Sequence, residues 1–335
     1  MLGKLCFLGL LWLGSVSSDC VSCTTGGSRW CVSQGVCSAV IDKSCDTIIT
    51  DSLNCPMQMV PGYEYNDTYT RTVVLPLLAG AYARPNPKKC LQNALPTTTF
   101  YENIVVECYA TGPNSTCHAY TAYDLSRKLI IVAFEGTEGN LQLSEEVLAF
   151  FHTKKNFFGH GNVFEYFYNA FYYLWNGGLQ VSLRKLLYLY PNFKLLAVGH
   201  SMGASISSVF ASHVIATNLL TPDRVQLITF GQPRTGDRNF SVWHDNTFLY
   251  SYRVNHHRDP APHIPPKGGP DEVFHHRFEV WYNNDMTVGR PYTVCLEADG
   301  PYCSNKQIDV EGLDHIVYFN VNMGNWADKD CVPFN

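Results

Sequence analysis

KLLAVGHSMGAS, residues 194–205, is the stretch on which the fold turns. It opens with a short, near-continuous apolar run, the pattern of a strand buried on both faces. It closes on residues 203–220, where large apolar side chains recur at helical spacing. Between the two, Gly199-His200-Ser201-Met202-Gly203 fits GxSxG, the pattern of a serine perched on a sharp turn from strand to helix. Three fixed positions recur by chance, and an ordinary tight turn of small residues is the bland alternative. The flanking strand and helix are the context that the chemical reading requires. A turn this tight leaves no room for bulk beside the serine, which explains Gly199 and Gly203, with Ala204 next. Ser201 then presents its hydroxyl at a helix N-terminus, where unpaired amides and the dipole favour a developing negative charge.

Outward from this stretch the alternation continues. Leu129–Phe134 (LIIVAF), Val225–Phe230 (VQLITF) and residues 248–254 (FLYSYRV) read as further strands, and residues 163–189 as helix broken at Gly177 and Gly178. Near-continuous apolar strands separated by helices imply an α/β fold with a mostly parallel sheet covered on both faces. The chain has 335 residues, 46% of them hydrophobic and 16% charged, which suffices for a sizeable core. At roughly 150 residues per domain, one large unit plus an accessory is expected. Twenty-four basic and 29 acidic residues give a net charge of −5, and no Lys/Arg run exceeds two residues, which argues against a nucleic-acid partner.

The N-terminus, MLGKLCFLGLLWLGSVSS, has one basic residue, Lys4, before an apolar stretch from Leu5 to Val16 and small residues to Ser18. A bilayer span needs about 20 apolar residues, so this shorter run reads as a signal peptide (residues 1–18) rather than a membrane anchor, and the mature protein is expected to be secreted and without a transmembrane segment. Of the 13 cysteines, Cys6 leaves with the signal. The remaining even number suits an oxidising compartment. Six crowd between Cys20 and Cys55, in a stretch (residues 19–56) with too few large apolar residues for its own core, so internal disulfides are expected to take its place. Only Cys20 and Cys23 have CxxC spacing, and no His lies between them and Cys55, so a zinc site is not expected. Sequons stand at Asn66, Asn114 and Asn239, as suits a secreted glycoprotein. Pro56, Pro61 and Gly62 mark the boundary to the larger domain, residues 57–335.

A serine hydroxyl needs a general base, itself oriented by a carboxylate, and both are expected downstream in the order Ser, Asp, His. Twelve histidines leave that choice open by count alone. The motifs, however, carry a resemblance. VAFEGT (132–137), VGHSMGAS (198–205), TFGQPRTGD (229–237) with RVNHHRDPAPHIPP (253–266), and LDHIVYF (313–319) are together similar to the class 3, fungal-type lipase family, especially its secreted nematode branch. CVSCTTGGSRWCVSQGVC (20–37) resembles the PSI-type cysteine-rich module of extracellular proteins. The lipase resemblance implies an α/β-hydrolase fold and puts the acid at Asp259 and the base at His315. It implies an oxyanion hole from the Met202 amide and from Thr137. Asp314 is the rival carboxylate, while His200, pointing away within the elbow, His263 beside the prolines, and His275 and His276 ahead of FEVWY are expected to be structural. Most relatives carry Arg where this chain has Glu135, and that departure leaves the resting position of Thr137 open.

The same resemblance places a lid at residues 138–155, where Leu141, Leu143, Val147, Leu148, Phe150 and Phe151 flank Glu145 and Glu146. An ordinary half-buried helix is the other reading of that pattern. Resemblance and proximity together pair Cys295 with Cys303, Cys108 with Cys117, and Cys90 with Cys331. The expectation is a secreted serine hydrolase of carboxylic esters, foremost acylglycerols at an oil–water interface, needing no cofactor and no metal. A phospholipid or soluble-ester hydrolase is one alternative. A binding protein of the same fold, its activity impaired by changes such as Glu135, is another. No partner for the cysteine-rich module is legible.

Overall fold

A computed structural model describes residues 19–40, 44–108, 115–136, 151–267, 273–300, 302–307 and 309–333. The expected signal peptide, Thr137, Asn114 and the lid residues up to Phe150 lie outside the described residues. The chain divides into two compact units at Cys55 and Pro56. In the first, disulfides Cys20–Cys55, Cys23–Cys37 and Cys31–Cys45 staple a sheet in which Arg29–Cys31 is flanked by Val36–Ser38 and Ile48–Ile49. Its apolar interior is little more than Cys20, Ile49 and Cys55 with Trp30 and Val32 against them, so the covalent links do what a core would otherwise do.

The second unit is built on an eight-stranded sheet whose spatial order follows the chain: β1 (Thr98–Glu107), β2 (Thr116–Asp124), β3 (Leu129–Phe134), β4 (Lys194–His200), β5 (Val225–Phe230), β6 (Ser251–His256), β7 (Glu279–Tyr282) and β8 (Thr293–Cys295). β3 to β7 run parallel, while β1 and β2 at one edge and β8 at the other are antiparallel. The apolar runs are continuous because each strand feeds two cores. Ile130, Val132, Phe134, Leu195 and Ala197 pack against α2 (Glu165–Leu174), α3 (Gln180–Leu189) and α4 (Met202–Ala216), through Phe167, Phe171, Leu183, Val209 and Phe210. Their neighbours Ile131, Ala133, Leu196 and Val198 point the other way, toward Leu75, Leu78 and Ala81 of α1 (Leu75–Tyr82). Burying one such side chain contributes about 1.5–3 kcal/mol.

The break expected at Gly177 and Gly178 is a wider turn, Trp175–Leu179, that separates α2 from α3, with Gly178 at φ 135°. β6 is displaced from the expected 248–254. Phe248 and Tyr250 are buried before the strand begins, and pairing of Leu227 with Ser251 sets where it starts. The remaining disulfides are Cys90–Cys331, Cys108–Cys117 and Cys295–Cys303, the pairings the resemblance implied. Among the described residues no helix is long and apolar enough to cross a membrane.

Candidate active site

Between the end of β4 and the start of α4, Ser201 adopts φ 56° and ψ −129°, a strained conformation for a residue with a side chain. The glycines of the motif make it possible. A Cβ on Gly199 would run into the carbonyl of Gly203, and one on Gly203 into the carbonyl of Glu135 at the end of β3. The Ser201 amide donates to the Phe230 carbonyl at 2.9 Å, which ties the elbow to β5. Met202 opens α4, and its amide has no partner one turn back inside the helix.

Asp259 lies in the loop after β6, and His315 in the single helical turn Leu313–Ile316. Nδ1–H of His315 donates to Asp259 Oδ1 at 2.8 Å, the Ala261 amide donates to the same oxygen at 2.8 Å, and the Tyr318 hydroxyl donates to Oδ2 at 2.6 Å. Burial alone would raise the Asp259 pKa, but the imidazole of His315 and these three donors hold it below the usual carboxylate range. Burial, then the carboxylate of Asp259, push the Tyr318 hydroxyl well up, so it stays a donor. Gly231, at φ 53°, leaves the space in which the three groups meet. A Cβ there would sit 2.6 Å from Asp259 Oδ2, 2.8 Å from the Tyr318 oxygen and 2.9 Å from His315 Nδ1.

One polar atom of Ser201 and one of His315 are left over. Ser201 Oγ and His315 Nε2 have no hydrogen-bond partner among the described residues, and Ser201 is only 1% exposed. A hydroxyl and a ring nitrogen kept dry and unpaired are costly unless a reaction uses them. The rival carboxylate is engaged elsewhere: Asp314 takes His257 Nδ1 at 3.1 Å and the Arg258 amide at 3.1 Å. Among the other histidines, burial drives His276 down to about 3 and His275 well below its ordinary value. His275 donates from Nε2 to the Pro262 carbonyl, His276 stacks on His244 at 3.7 Å, and the His263 amide closes the turn Ala261–His263. His200 departs from expectation. It does not point away from the site, because its ring stands 4.5 Å from that of His315.

Glu135 is not a bare anion. Its carboxylate forms an ion pair with Arg84 just beyond α1, and His118 Nδ1–H is shared between it, at 2.9 Å, and the Ala81 carbonyl, at 2.8 Å. The Glu135 carboxylate is thus met by a cation from just beyond α1. Arg84, His118, Tyr318 and Gly231 were not singled out from the sequence. Tyr318 and Gly231 lay inside quoted motifs, while Arg84 and His118 carry no local signal. Among the described residues no group of three His, Cys, Asp or Glu is placed to hold a metal ion.

A centrally parallel sheet with a strained serine at a strand-to-helix elbow defines a hydrolase of the α/β type. Residues 131–269 match the model of the class 3 lipases, and the chain is a serine ester hydrolase of the lipase type. A lipase of Caenorhabditis elegans is 28% identical over 81% of this chain and 84% of the relative. A secreted mono- and diacylglycerol lipase of Fusarium solani is 31% identical over 38% of each. The crystal structure of a lipase from Rhizopus microsporus var. chinensis superposes with a TM-score of 0.66 at 23% identity, over 78% of this chain and 90% of that one, and shows the same fold.

Proposed function

We propose that the protein is a secreted acylglycerol lipase that works through an acyl-enzyme on Ser201. In this reading the signal peptide is cleaved after Ser18, which leaves the cysteine-rich module of residues 19–56 ahead of the catalytic domain of residues 57–335. The observation that carries it is the buried, oriented His315–Asp259 pair together with two unpaired polar atoms, Nε2 of His315 and Oγ of Ser201. Nε2 takes the serine proton as Oγ attacks the ester carbonyl, and Asp259 holds the ring and stabilises the imidazolium. The oxyanion forms against the Met202 amide and Thr137, each donor worth about 10²–10³ in rate. Nε2 then returns the proton to the departing alcohol and activates a water that releases the fatty acid. The similarity to the secreted mono- and diacylglycerol lipase of Fusarium solani supports this substrate class. Labelling with a fluorophosphonate tests it: the adduct is expected on Ser201 by mass, absent in Ser201→Ala, and triolein turnover is expected to rise above the solubility limit. An enzyme whose Ser201→Ala variant still hydrolyses esters would overturn it.

A further inference from the structure

The scheme above leaves His200 unused, although this residue precedes the nucleophile and its ring lies against the base. The direction of its two hydrogen bonds follows from the partners. A backbone carbonyl only accepts, so Nε2 of His200, 2.7 Å from the His315 oxygen, carries the hydrogen. Burial, and then the neighbouring His315, hold the ring down to about 3, so it has a single hydrogen and Nδ1 is bare. That bare nitrogen accepts the Tyr82 hydroxyl at 2.6 Å, and the Tyr82 oxygen accepts the Gly136 amide at 3.2 Å. The bonds run one way: Gly136 amide to Tyr82, Tyr82 to His200, His200 to the carbonyl of His315. They begin one residue before Thr137, pass through the residue before Ser201 and end on His315. A side chain at Gly136 would break the first link, since its Cβ would strike the Tyr82 hydroxyl and, at 2.8 Å, the His200 carbonyl.

We propose that Tyr82 and His200 are positioning residues: Tyr82 anchors the His200 ring through Nδ1, and His200 so held seats the base-bearing turn over the elbow. The inference rests on the reading of Ser201 and His315 as nucleophile and base. The turn Leu313–Ile316 needs such a tether because little apolar packing holds it. Leu313 is 63% exposed and only His315 of its four residues is buried. Consecutive carbonyls of the turn are instead held by imidazole nitrogens, Asp314 by His256 at 3.2 Å and His315 by His200. Without the Tyr82 hydroxyl, Nδ1 of His200 loses its partner, the ring is anchored only through the His315 carbonyl, and the turn it tethers is free to retreat from Ser201. A displacement of about 1 Å suffices to cost on the order of 10²-fold in rate.

The test uses the full chain and a soluble p-nitrophenyl ester. Tyr82→Phe, which removes one hydroxyl and leaves the ring, is expected to lower kcat about tenfold with KM within about twofold. His200→Leu is expected to lower kcat about 100-fold, and His200→Gln, whose amide can donate to the carbonyl, to recover about tenfold of that loss. Fluorophosphonate labelling should slow in parallel. The inference is overturned if Tyr82→Phe keeps kcat within twofold, or if Leu and Gln at position 200 lose kcat equally. Activity retained by Ser201→Ala would instead sink the nucleophile assignment, and so separates the two failures.

Discussion

At the elbow, backbone touches backbone: Gly199 faces the Gly203 carbonyl, and Gly203 faces that of Glu135. At the turn that carries His315, side chains reach in from three places, His200, His256 and Asp259, and hold it by hydrogen bonds, while Tyr318 braces Asp259. The first construction is steric and tolerates no added atom. The second is chemical and tolerates isosteres that keep the shape while losing the chemistry. One site therefore contains a part that fails by not forming and a part that fails by forming wrongly.

The largest effect is expected at the steric part. Gly203→Val drives side-chain atoms into the end of β3, a backbone at the sheet centre that cannot yield, and the variant should give no folded, fluorophosphonate-reactive protein. Circular dichroism and labelling of the soluble fraction check this, and a well-folded variant would erase the contrast. Next comes Asp259→Asn, which preserves size but presents an amide to His315 and favours the wrong tautomer. It should lose about 10³–10⁴ in kcat while melting within a few degrees of the parent.

The least local effect is spread over pH. His200, His275 and His276 are buried and held neutral, each with a folded-state pKa depressed below the ordinary histidine value. The unfolded chain binds protons there that the folded chain does not. Stability is therefore full above about pH 6.5 and falls as pH drops below it, by up to about 1.4 kcal/mol per pH unit for each ring. Urea midpoints between pH 8 and 5 measure it. A flat profile would mean that the hydrogen-bonded side of the site is no more titratable than the elbow.

The same contrast governs what could be read in advance. Strands buried on both faces, such as Leu129–Phe134, announce themselves as unbroken apolar runs, and the elbow is a local pattern whose glycines have one steric reason each. The edge strand Thr98–Glu107 alternates weakly, with mostly exposed or half-buried positions, and was not read as a strand. Asp259 and His315 stand 56 residues apart and were placed by motif resemblance, because no spacing rule picks one histidine among twelve. Tyr82 and Arg84 act on residues 118 and 51 positions away, a distance at which sequence leaves no trace.

The bond between Cys90 and Cys331 closes a loop of 241 residues that contains the whole sheet and all three residues of the proposed triad. Tension applied to the ends of the catalytic unit therefore passes through sulfur and bypasses the strands. A peptide bond cut anywhere within the loop leaves the pieces tethered.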